Sequence, residues 1–247
     1  MNSFKNWKLF PNLFVECDEC NIMSPDFDNT FFVLETLFSV MNPFLPIVSI
    51  PNTMISISQS YETPICIREQ HTIQLNCSYR SWCQLTYQLA HELCHMCIPD
   101  DVTNNLRWFE ESICELSSYY FLPLLTDYWK RHKINLISSD SKPYATFFSS
   151  YVVDDMRKAS SFNLTGNLQK LYNNCYDRHS NAYVAIQLLP IFQSYPNTWK
   201  SVPFLHELDS SQNFSDSLKQ WLEIAPTESH SGLLQICQLF APKVPFA

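Results

Sequence analysis

The segment QLAHELCHMCI, residues 88–98, places two histidines four positions apart, with a glutamate directly after the first. Four residues is about one helical turn, so on a helix His91 and His95 present their imidazoles on one face and can share a metal ion. Glu92 follows about 100° further round the helix. It stands close to such an ion without having to bind it. Metal-assisted hydrolysis needs that arrangement: zinc lowers the pKa of water, and a nearby carboxylate takes the proton as the water attacks a carbonyl. Leu89, Ala90, Leu93, Cys94 and Met96 around the three are uncharged. The plain alternative is a pair of core histidines satisfied by the fold.

A catalytic zinc takes three protein ligands and keeps one position open for water. A third donor is therefore sought within reach, and RWFEESICELSS, beginning twelve residues after His95, supplies carboxylates. Here the chain resembles the gluzincin branch of zinc metallopeptidases, which includes thermolysin-like and aminopeptidase-like enzymes. In that branch a second helix carries the ligand glutamate, often in a Trp-apolar-x-Glu-small context. Trp108-Phe109-Glu110-Glu111-Ser112 fits that context. The resemblance spans residues 72–120 and implies Glu111 as the third ligand, with Glu110 and Asp101 as alternatives. It further implies a zincin-like fold, Zn2+ as the cofactor, Glu92 as general base and a peptide or protein substrate.

Other site residues are carried over in the same way. Glu115, one turn beyond Glu111, is suited to hydrogen-bond a ligand histidine, or else it lies on a solvated helix face. The strand HTIQLNC precedes the metal helix, where zincins place a substrate-pairing edge. Ile73 and Leu75 are thus candidate substrate-binding residues by β-augmentation, with an internal strand as the alternative. An oxyanion stabiliser is sought among Tyr176, Arg178, His179 and Tyr183, and His179 is chosen. The metzincin branch fits less well, because Ile98 and Asp101 stand where its glycine and third ligand would be. No Gly-x-Met-Glu-Asn motif of the aminopeptidase branch appears, so endo- and exopeptidase stay open. Cys17-x2-Cys20 with Cys94-x2-Cys97 is a rival, a four-sulfur structural zinc site.

The elements that must position these residues are legible in outline. DNTFFVLETLFSVM, residues 28–41, has helical spacing and stops at Pro43. PIVSI, TMISIS, PICI and TIQLNC read as short strands. SWCQLTYQLAHELCHMCI reads as a helix capped by Ser81 and ended by Pro99. Residues 104–132 read as a long helix with a kink at Pro123. Helical segments follow at roughly 143–158, 162–174, 179–194, 197–208, 213–224 and 230–240. The fold class is α+β: a small N-terminal sheet with a helix over about 1–80, then a mostly helical part over about 81–247 that carries the metal site. Both form a single domain.

Composition bounds the function. The 247 residues are 46% hydrophobic and 15% aromatic, enough for a sizeable core. A formal charge of −8 argues against nucleic acid or an anionic membrane as partner. With two glycines in the chain there is no Gly-rich phosphate cradle. No stretch approaches the length of a membrane span, and the N-terminus lacks the apolar core of a leader. The ten cysteines are scattered through a chain with an adequate core. They read as reduced, buried thiols of a cytoplasmic protein. The function expected is a zinc-dependent metallohydrolase, most simply a peptidase. The alternatives are a catalytically silent zincin-fold binding or scaffold protein and a non-peptide amide hydrolase.

Overall fold

The computed structural model describes residues 4–132, 144–159, 168–209 and 213–240. The chain is α+β, with a five-stranded mixed sheet near its N-terminus. Strands β1 (Lys5–Asn6), β2 (Leu13–Cys17), β3 (Thr53–Ile57), β4 (Ile65–Ile67) and β5 (Thr72–Leu75) lie in the order β1-β2-β3-β5-β4. The central three are parallel, and β1 and β4 are antiparallel edges. Leu13, Val15, Ile55, Ile73 and Leu75 are fully buried. Apolar residues at alternate positions thus pack one face of the sheet.

Three strand expectations change. β2 was not foreseen, because LFVEC sits among polar and cysteine-rich neighbours. PIVSI is no strand: Ile47–Ser49 form a 3-10 turn. The Asn12 side-chain amide donates to the carbonyls of Ile47 and Ile50, which holds that turn. β5, taken as an edge for substrate, is internal. It pairs with β3 on one side and β4 on the other. Its backbone groups are therefore engaged in the ladder, and Ile73 and Leu75 belong to the core.

Two compact units can be distinguished, Met1–Met96 with Phe121–Asp155, and Cys97–Tyr120 with Met156–Ala247. The first holds the sheet, α1 (Pro25–Met41) and α2 (Trp82–Met96). Helix α1 begins with Ser24 at the N-cap position and Pro25 at N1, followed by Asp26 and Asp28 in its first turn. A fixed φ and negative charge at that end both favour helix initiation. α3 (Arg107–Arg131) runs unbroken through Pro123, with Trp129 Nε1 donating to Thr36 of α1 at 3.0 Å. α4 (Ala145–Ala159) is held to α3 by Thr126, whose hydroxyl donates to the Ala145 carbonyl at 2.7 Å.

The second unit contains α5 (Leu168–Asn173), α6 (Arg178–Ser194), a 3-10 segment Pro196–Glu207, α7 (Phe214–Ile224) and α8 (His230–Phe240). Of the helix expected over 162–174, residues 162–167 lie outside the described residues, as does residue 143 at the start of another. An aromatic core of Trp108, Phe109, Phe214, Trp221 and Phe240 packs edge to face, except that Trp108 and Phe214 meet at a tilt. One of the two glycines has a clear reason. A Cβ on Gly232 would fall on the Thr198 hydroxyl, so only glycine lets α8 approach the 3-10 segment this closely. Among the described residues no helix is long and apolar enough to cross a membrane.

Two predictions follow from local chemistry. His71, between β4 and β5, has φ 48° and ψ 48°, a left-handed conformation unfavourable for branched side chains. His71→Val lowers unfolding free energy by about 1–2 kcal/mol in urea titration, whereas His71→Gly is neutral or stabilising. All ten cysteines are free. Burial pushes the thiol of Cys77 up to about 12 and that of Cys83 to about 11, from an ordinary 9.0. Both thiols stay protonated more readily in the fold than in the unfolded chain. Their contribution is complete below pH 9.0 and fades as pH rises toward 11–12. Melting temperature therefore falls above pH 9.0, less so in a Cys77→Ala variant, and ten thiols titrate in denaturant without reductant.

Candidate metal centre

Helix α2 forms because Leu85, Leu89, Ala90, Leu93, Cys94 and Met96 recur at helical spacing and are buried. The Leu85 N–H donates to the Ser81 carbonyl at 2.8 Å, which puts Ser81 at the N-cap position. The helix is anchored at several levels. Thr30 of α1 donates to the Tyr79 carbonyl at 2.8 Å and accepts from the Trp82 indole at 3.0 Å. The side-chain amides of Gln84 and Gln88 both donate to the Asn76 carbonyl just after β5, at 3.3 and 3.1 Å. Tyr87 donates its hydroxyl to Asp155 of α4 at 2.9 Å. At the last turn Arg68 donates to the His95 carbonyl at 3.1 Å.

On this fixed helix the two imidazoles meet. Nε2 of His91 and Nε2 of His95 are 3.3 Å apart. Glu111, on α3, completes a group of three: one ligand atom from each residue lies within 4.8 Å of the others. Among the described residues this is the one group of three or more metal-ligating side chains. The tetracysteine alternative is not assembled, and neither Asp101 nor Glu110 joins the group. Asp101 is exposed and lies 3.9 Å from Arg107.

The donors suit a borderline divalent ion. Two nitrogens about 2.0–2.1 Å from one ion at the tetrahedral angle stand about 3.3–3.4 Å apart, which matches the observed separation. Two imidazoles and one carboxylate form a set that zinc accepts readily, as do other first-row ions. The same contact also serves a ring N–H···N hydrogen bond when one imidazole carries the proton.

Three carboxylates close to these residues in the sequence are buried. Glu92 is 6% exposed, Glu110 5% and Glu115 3%. Glu115 is therefore not on a solvated helix face, and a carboxyl so placed requires a partner inside the protein. His179 sits exposed in the first turn of α6 and is not a member of the group.

The second unit holds the Glu111 turn through a contact with no sequence signature. Ser112, fully buried, donates to the Trp108 carbonyl at 2.7 Å and lies 3.4 Å from Asn181 Oδ1. Asn181 in turn donates to the Cys175 carbonyl at 2.7 Å. Burial, and after it the Glu111 carboxylate, push the Cys175 thiol above its ordinary value. That places the turn before α6 beside the third donor. Asp177 caps α6 by accepting from the Ser180 N–H.

No protein-family model, curated protein or solved structure matches the chain. Purified protein should contain about one zinc per chain by elemental analysis, and less than a tenth of that after His91→Ala or His95→Ala. Zinc retained at wild-type level in both variants contradicts the assignment.

Proposed function

We propose that this protein is a zinc-dependent metallohydrolase of zincin-like, gluzincin-type fold that cleaves peptide bonds. The observation that carries this reading is the convergence of His91, His95 and Glu111 ligand atoms within 4.8 Å, with Glu92 beside His91 on the same helix. A carboxylate directly beside the ligands is what a hydrolytic site uses as its base.

His91, His95 and Glu111 would hold the ion. When bound, it supplies Lewis-acid chemistry, polarising a carbonyl and lowering the pKa of water. Glu92 accepts the proton of the attacking water at a carboxylate oxygen and delivers it to the leaving amine nitrogen. Its burial next to the ligands keeps that proton from exchanging freely with bulk solvent. Glu115, buried one turn beyond Glu111, would accept from the distal ring nitrogen of a ligand histidine and so fix its tautomer.

An extended substrate has one sheet edge near this helix to pair with. That edge is β4, not β5: β4 ends the sheet order, and its Ile65 is 44% exposed. Backbone pairing along Ile65–Ile67 aligns a peptide without requiring a particular sequence. Ten free thiols support a reducing compartment such as the cytoplasm.

Glu92→Gln should retain zinc and melting temperature but lose about 10²–10⁴-fold in hydrolysis of casein or a fluorogenic peptide library. A variant that cleaves at the wild-type rate contradicts the role of Glu92. A wild-type protein that holds zinc and cleaves nothing across the library contradicts the peptidase reading and favours a silent binding protein.

A further inference from the structure

Helix α2 ends at Met96, so the carbonyl of the ligand residue His95 is among the last four of the helix, which have no intrahelical N–H to accept from. In a continuing helix the His95 carbonyl would accept from the N–H of residue 99. Residue 99 is proline and has no N–H. The carbonyl of His95 is instead met by a side chain from the sheet edge: Arg68 Nε donates to it at 3.1 Å in a half-buried setting. Arg68 opens the 3-10 turn Arg68–Gln70 directly after β4. That turn is itself closed by the His71 N–H donating to the Arg68 carbonyl at 2.9 Å. A cation at a helix C-terminus also complements the negative end of the helix dipole, and a charged donor makes a stronger bond than a neutral one.

We infer that Arg68 is a positioning residue for the metal ligand His95, standing in for the N–H that Pro99 lacks. The bond reaches the backbone of the ligand residue itself, so it sets the height and rotation of the turn from which the imidazole projects. It also links β4 mechanically to the His91–His95 pair. A ligand pairing along β4 and an ion held by the histidines then act on the same short segment, residues 65–68 and 92–95.

The inference rests on the metal-site reading for its consequence, and the test separates the two. Arg68→Met, Arg68→Lys and the double variant Arg68→Met/Pro99→Ala are compared with wild type. Hydrogen exchange of zinc-free protein over residues 92–98 reads the turn. Zinc affinity by chelator competition reads the site.

In Arg68→Met, exchange over residues 92–98 should rise at least about tenfold while the rest of α2 is unchanged, and zinc affinity should fall about 10–100-fold. Arg68→Lys recovers part of both. Pro99→Ala in the double variant lets α2 run on past Met96 so that residue 99 can donate its N–H, and recovers most of both, an outcome that general loss of stability does not give. Should Arg68→Met fail to fold, Arg68→Lys and the double variant carry the comparison. Unchanged exchange overturns the inference, and so does faster exchange with unchanged zinc affinity. If wild type takes up no zinc, the metal reading fails. The inference is then judged on exchange alone: lost protection restored by Pro99→Ala sustains Arg68 as the anchor of the His95 turn, and its absence overturns it.

Discussion

Two imidazole nitrogens held 3.3 Å apart on one helix face set the terms for much of this structure. Rings that close must share either an ion or a proton, and both choices demand a helix that does not flex. Helix α2 is accordingly fastened from its first turn to its last, through Thr30, Asn76, Asp155 and Arg68. Each fastening is a hydrogen bond to a group outside the helix. Net worth per bond is about 0.5–1.5 kcal/mol, so their importance lies less in stability than in fixing where His91 and His95 stand.

The third donor comes from a helix fastened by different means. Trp108 and Phe109, just before Glu111, are sunk in the aromatic core of the second unit, and Ser112, just after it, is fully buried against Asn181. Packing on both sides of the carboxylate leaves it little backbone freedom. Glu92 on α2 and Glu110 and Glu115 on α3 are buried carboxylates, and groups so placed require partners inside the protein.

What the sequence disclosed follows from locality. The spacing of His91, Glu92 and His95, the cap at Ser81 and the stop at Pro99 are all contained within twenty residues, so α2 was legible with its face and its ends. Glu111 was legible only through the Trp-Phe-Glu-Glu-Ser context, because nothing local distinguishes it from Glu110 one position away. Strand order was not legible. TIQL precedes the helix in the chain, yet β4, earlier still, folds back outside it and takes the edge. Nor does PIVSI reveal that an asparagine 35 residues away will hold its Ile47 carbonyl in a turn. Arg68 was overlooked for the same reason: nothing local shows that a side chain 27 residues earlier donates to the His95 carbonyl.

Zinc K-edge absorption of the purified, metal-loaded protein tests the central claim most directly, since it reads donor type and distance without reference to activity. The account predicts a first shell of nitrogen and oxygen only, at about 2.0–2.1 Å, with the outer-shell pattern of two imidazoles. That pattern should drop to one imidazole in His95→Ala. A sulfur shell at about 2.3 Å would contradict it, because the ion would then be held by cysteines and the histidine pair would be part of the core.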